Sequence, residues 1–247
     1  MGTDKKLNIG VAYPVFLSVL IRNLWSKYFL NFMSKRSLFK IIALAVVLGG
    51  VSSSTFAAKP PGGGPAIRKT LLPPGGHGRL VKRTMSPGYI TIHATENPES
   101  TAARHALYLS NKGKRSGKRG RSGWVTWHFT VDDREIVQHL LATEQGDHAD
   151  FGGKGDRKSI AIEICEFSAP RKQAAAIDRA ARLAAALADR YDIPTRNIVP
   201  HKHWPRPDFP YGKPCPKILL ARDSSAPGGW RVGVKWKQFL ALVNRYR

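Results

Sequence analysis

Six side chains in this sequence could do chemistry together: His93, Glu163, His201, His203, Lys213 and Cys215. Four of them lie in NIVPHKHWPRPDFPYGKPCP, residues 197–216, which reads as a proline-rich loop. Joined by His93, that loop offers imidazoles and a thiolate, a ligand set that suits zinc. Three protein ligands leave a fourth position for water, the mark of a catalytic rather than a structural zinc. The spacing itself is loose, because His93 precedes His201 by 108 residues and Cys215 follows His201 by 14. No local C-x-x-C or H-E-x-x-H pairing accompanies it, and a single cysteine in such a chain is commonly a small buried hydrophobe. The second cysteine, Cys165, reads as a packed thiol.

Regular elements must bring these groups together. Tyr89–Ala94 alternates as a strand, with Ile90 and Ile92 on one face and Thr91 and His93 on the other. Residues 124–131 repeat the pattern, setting Val125, Trp127, Phe129 and Val131 against Thr126, His128 and Thr130. Asp132-Asp133-Arg134 turns into a strand at 135–140, and 159–166 opposes Ile160, Ile162 and Ile164 to Ala161, Glu163 and Cys165. Helices are expected at 100–111, capped by Ser100, at 173–191 and at 235–245. The middle one carries Ile177, Ala180, Ala181, Ala184, Leu187, Ala188 and Tyr191 as a single apolar stripe. One sheet face therefore packs on helix while the other collects ionisable groups. A carboxylate on a central strand is rarely buried without a partner, so this polar face is the candidate site.

The ordered motifs YITIHAT (89–95), WVTWHFTVDDREIVQHL (124–140), KSIAIEICEF (158–167), HKHW (201–204) and GKPCP (212–216) resemble the zinc-dependent N-acetylmuramoyl-L-alanine amidases of type 2. This is the phage-lysozyme and peptidoglycan-recognition-protein family. The resemblance spans about residues 80–245 and implies an α/β fold, a single domain whose mixed central β-sheet is flanked by helices. It implies that His93, His201 and Cys215 hold Zn²⁺, with His203 the rival for the second position. His201 is preferred because Trp204 follows it by three residues, as in the family's His-x-x-Trp arrangement. By the same resemblance Lys213 stabilises the oxyanion and Glu163 is the general base.

Other family members use a tyrosine before the second-strand histidine. Here Trp127 stands in that place and cannot take a proton, which shifts the burden to Glu163. The implied reaction is hydrolysis of the amide joining N-acetylmuramic acid to L-alanine in peptidoglycan. Candidate substrate contacts are His128, His148 and Trp204. His128 equally reads as a satisfied strand histidine, and Asp147-His148-Ala149-Asp150 departs from the family's Trp-His-Ala-Gly motif. Some relatives bind peptidoglycan without cleaving it, typically after losing the cysteine ligand, and that remains the alternative reading.

Outside these motifs the chain is read as an exported one. Residues 33–58 combine Lys35, Arg36 and Lys40, an apolar run at 41–51 and the small-residue region Thr55-Phe56-Ala57-Ala58, the order of a signal peptide. Residues 1–32 are expected to be an upstream extension, with Met33 the true start. Residues 59–79 read as a Pro/Gly-rich linker, with order beginning near Leu80 and a catalytic domain over 80–247. No stretch reaches the roughly 18 apolar residues of a membrane span. Removing 1–58 lowers the charge of +23 to +17, with 33 basic against 16 acidic residues. Such a protein is drawn to polyanions outside the cytoplasm, and six basic residues in KGKRSGKRGRSG (112–123) form a solvated basic loop that adds to this. Nucleic acid is not the expected partner of an exported chain. A monomer in the periplasm or outside the cell is the expectation.

Overall fold

The computed structural model describes residues 64–76, 79, 81–112 and 125–247. The expected upstream extension, signal peptide and most of the basic loop lie outside them.

The described elements run β1 (Arg68–Lys69), β2 (Tyr89–Ala94), α1 (Ala102–Lys112), β3 (Phe129–Val131), β4 (Ile136–Gln138), α2 (Lys154–Lys158), β5 (Ser159–Ile164) and α3 (Pro170–Arg190). They continue with β6 (Ile198–Pro200), β7 (Leu220–Arg222), β8 (Trp230–Val232) and α4 (Val234–Tyr246). Six strands form one sheet in the order β1-β4-β3-β5-β2-β6, and β7 and β8 pair as a separate small sheet. Only β3 and β4 are antiparallel within the larger sheet, which is therefore mixed, as expected.

Hydrophobic burial sorts the two faces. Ile90, Ile92, Phe129, Val131, Ile160, Ile162 and Ile164 meet Ala180, Leu183 and Ala184 of α3 in the main core, with Trp236, Phe239 and Val243 of α4 behind. The alanines of α3 leave little standing between helix axis and sheet, so the branched strand residues pack closely against it. Pro170 sits in the first turn of α3, where its missing N–H is not needed. Beyond the helix Asp192 takes φ 53°, and Ile193 N–H donates to Ala188 O at 2.8 Å, so the terminal carbonyl is satisfied by a Schellman-type bond.

The structure departs from the expected elements in four places. The segment read as a strand over 124–131 pairs only from Phe129, so Trp127 escapes the alternation. It packs in a separate cluster with Leu72, Leu109, Leu140 and Ala161, and its indole N–H donates to Thr130 Oγ1 at 2.7 Å. Helix α1 begins one residue later than Ser100 would cap, and Thr101 Oγ1 accepts from Arg104 N–H. Order starts before Leu80, because β1 pairs in parallel with β4 and Leu72 is wholly buried. Finally, the 197–216 segment opens as a strand, since Ile198 and Val199 pair with Ile90 and Thr91.

That last pairing aligns the chemistry. Register sets His93 beside Glu163 on β5, and Thr130 of β3 on the far side of Glu163. Pro200 pairs with Ile92, so the next residue, His201, emerges beside His93. Three parallel strands thus deliver functional groups at their carboxyl ends, where open α/β sheets place ligands.

Candidate metal centre

His93 is the penultimate residue of β2, His201 begins a 3-10 turn after β6, and Cys215 returns on the loop beyond it, held by a bond from Lys202 N–H to Cys215 O at 3.1 Å. One ligand atom from each of these three residues lies within 4.8 Å of the others, and all three side chains are buried. The rings of His93 and His201 are 4.5 Å apart between centroids. Ala94 N–H donates to Cys215 Sγ at 3.3 Å, a bond that favours the thiolate. Burial, followed by the charge of Glu163, nonetheless holds the thiol well above its ordinary range.

The donor set passes a direct test for a cation. His201 Nε2–H donates to Ala149 O at 3.0 Å, which leaves Nδ1 as the lone-pair nitrogen. That atom is buried and finds no hydrogen-bond partner among the described residues. An unsatisfied buried polar atom costs about 1–3 kcal/mol, and a bound metal removes the penalty. Two imidazoles and one sulfur, with a position left open, fit a tetrahedral N/S-preferring ion such as Zn²⁺.

Glu163 stands next to these ligands, Oε1 being 3.8 Å from His93 Nδ1, while its Oε2 is buried and unengaged among the described residues. Burial lifts its carboxyl to about 8, against the opposing pull of Lys213. Lys213 is tied to Glu96 at 2.7 Å. Burial lowers its ammonium, but the Cys215 sulfur and Glu96 outweigh that and leave its pKa raised. His93, Glu163, His201, Lys213 and Cys215 line one end of a cleft of about 1030 Å³, whose other wall includes Arg104 and Tyr108 of α1.

The remaining expected residues are placed as follows. His203 is exposed and stacks edge-on against Trp204, outside the ligand cluster, so the rivalry goes to His201. His148 lines the cleft and touches His93. His128 does not line it, because its Nε2–H donates to Glu144 O at 2.7 Å and its Nδ1 accepts from Ala161 N–H at 2.9 Å, which satisfies both nitrogens. Trp204 is packed with Ala149 and Val199, its indole N–H donating to Thr91 Oγ1, and it supports the 3-10 turn of His201 rather than facing the cleft. Sequence reasoning passed over Glu96, the partner of Lys213, although its position three residues after His93 put it at the strand exit. It also passed over the carbonyl of Ala149, which no side-chain pattern could reveal.

Known proteins share this sequence pattern and this fold. A family model described as N-acetylmuramoyl-L-alanine amidase matches residues 83–218. The chain is 41% identical over 166 residues to the N-acetylmuramoyl-L-alanine amidase XlyA of Bacillus subtilis (strain 168), covering 66% of this chain and 50% of that protein. It is 39% identical over 167 residues to CwlH of the same organism, covering 66% of this chain and 60% of CwlH. The chain thus spans about half the length of the first of these relatives and three-fifths of the second. Among solved structures, the catalytic domain of XlyA superposes with a TM-score of 0.55 at 36% identity, covering 72% of this chain and 99% of that one. PlyL gives a TM-score of 0.54 at 28% identity, covering 72% and 96%. With more than half of its length matched by that family model and its fold shared with these solved structures, this chain belongs to the N-acetylmuramoyl-L-alanine amidase family.

Proposed function

We propose that the protein is an exported, zinc-dependent hydrolase of peptidoglycan that cleaves the amide between the lactyl group of N-acetylmuramic acid and L-alanine. The observation that carries this reading is the convergence of His93, His201 and Cys215 beside a buried, unengaged carboxylate at one end of a cleft. Zinc held by those three residues would supply an acidified water at neutral pH and polarise the scissile carbonyl.

The protein's own groups account for the proton traffic. Glu163 takes a proton from the attacking water at its unengaged Oε2 and returns it to the departing amine of L-alanine. A dication on the neighbouring ligands favours the ionised carboxylate that this first transfer needs. Lys213, kept protonated and pinned by Glu96, offsets the negative charge growing on the carbonyl oxygen; losing such a donor costs on the order of 10²–10³ in rate. The products are a lactyl carboxylate and a free amino terminus on the stem peptide. Export is supported by the 33–58 segment and by the +17 charge left after its removal, which suits an anionic wall.

Mass spectrometry of defined muropeptides tests the reaction, with and without a chelator. Release of an intact stem peptide beginning with L-alanine, abolished by the chelator, is the expected result; binding without release would assign recognition instead of cleavage. Glu163→Gln should keep zinc by elemental analysis while turnover falls about 10²-fold or more.

A further inference from the structure

We propose that the 147–156 loop sets the tautomers of both imidazoles in the metal centre, and that His148 is the positioning residue for His93. The inference rests on the reading of His93, His201 and Cys215 as metal ligands, and goes beyond it to what makes those rings ligands at all.

A neutral imidazole has one bare nitrogen, and a histidine can hold a metal only if the bare one points at it. For His93 the choice is made by a chain of two bonds. His148 Nε2 lies 3.3 Å from Ser159 O, and a carbonyl can only accept, so the proton is on Nε2. His148 Nδ1 is then bare and accepts, at 3.2 Å, from His93 Nε2–H. The two rings meet nearly perpendicular, at 83°, as an in-plane donor aimed at an in-plane lone pair requires. His93 Nδ1 is left as the lone-pair atom, on the side of Glu163. Both rings are buried, which favours their neutral forms. Reversing the His148 tautomer would reverse the chain and put a proton on His93 Nδ1.

The neighbouring residue does the same for the other histidine, because Ala149 O accepts from His201 Nε2–H. Adjacent positions on one loop therefore prepare two ligands that lie 108 residues apart in sequence. The loop is built to hold still. Asp156, itself buried, accepts from the backbone N–H groups of His148, Ala149 and Gly152 at 2.8, 2.7 and 2.6 Å. Asp150 accepts from Gly155 and Asp156 N–H, and Arg83 grips Asp147 with both guanidinium nitrogens. At Gly155 a Cβ would come within 2.9 Å of both Ala149 and Trp204, so the loop sits against the packing beneath it without slack.

The test is zinc affinity of the full chain by competition with a chromophoric chelator, a measurement independent of catalysis. His148→Leu fills the volume without an acceptor and should weaken zinc binding about 10–100-fold, the usual effect of losing such a partner. His148→Asn returns an acceptor near the position of Nδ1 and should restore affinity to within about fivefold of wild type. Equal affinity of His148→Leu and wild type overturns the proposal. Should His148→Leu fail to fold by circular dichroism, His148→Asn decides alone, and a loss of about tenfold or more there overturns it. If wild type itself binds no zinc, the metal reading falls instead, and the two failures are told apart.

Discussion

The chemistry of the site turns on groups whose burial pushes them away from their ordinary behaviour. Cys215 is the clearest instance, since burial raises its thiol and only a cation or hydrogen-bond donors can bring it back to thiolate. Metal uptake must therefore release its proton, and zinc affinity should strengthen as pH rises. Cys215→Ser should lose zinc and hydrolysis together, because a hydroxyl is a poor zinc ligand; elemental analysis and product assay on one preparation check this, and full activity without sulfur would end the assignment. Glu163 shows the complementary case, a carboxyl raised to about 8 by burial beside a lysine held charged by Glu96. Glu96 itself sits at φ 49°, a strained backbone for a residue with a side chain, at the point where β2 hands over to the cleft wall. Most of these residues could be picked out as chemistry-bearing types in the sequence. Their states could not, because desolvation depends on neighbours remote in the chain.

Element by element, the site is a consequence of strand register. Parallel pairing of β2 with β5 and β6 places His93, Glu163 and His201 in adjacent positions, and a slip of one residue would turn each strand's polar set into the core. What holds the register is the apolar face against α3. Leu183, fully buried in that core, is the residue to probe. Leu183→Ala should cost about 2–5 kcal/mol of stability through lost burial and a residual cavity. Because the leucine lies on the face away from the cleft, activity per folded molecule should hold; chemical denaturation followed by assay below the transition separates the two. The alternation of β2 and β5 and the stripe of α3 were legible because side-chain direction follows local periodicity. The strand read over 124–131 was misjudged at Trp127, since its alternation continues past the point where β3 stops pairing and only the hydrogen-bonded ladder ends a strand.

At the scale of the whole molecule, charge and buried histidines set the response to the medium. His128 and His139 are fully buried, and burial pushes both down to about 3 from an ordinary 6.5, helped in His128 by His148 and in His139 by His105. A histidine held neutral in the fold favours the native state at and above the unfolded value, and that advantage is lost as pH falls from 6.5 towards 3. Between pH 6.5 and 5 each should remove about 2 kcal/mol. Urea midpoints at pH 7.5 and 5.0, with a chelator present so that metal loss does not contribute, should show the decline, and His139→Gln should make it shallower. An unchanged midpoint would contradict the burial of these rings. The formal charge of +23 predicts salt-sensitive attachment to an anionic polymer such as cell wall. Deleting 112–123 should weaken retention on intact wall at low salt and leave cleavage of short soluble fragments unaltered; pelleting with purified sacculi reads the first and product analysis the second.

Sequence alone determined which residue types were available, which strands and helices carry them, and that a polar sheet face opposes an apolar one. These are short-range properties, fixed by side-chain size and by periods of two and 3.6 residues. Only the tertiary structure decided that His201 rather than His203 joins His93 and Cys215, that His128 is spent on backbone groups, and that His148 faces His93. Each depends on long-range strand pairing and on the direction of individual hydrogen bonds, one of them to a carbonyl whose placement no amino-acid type encodes.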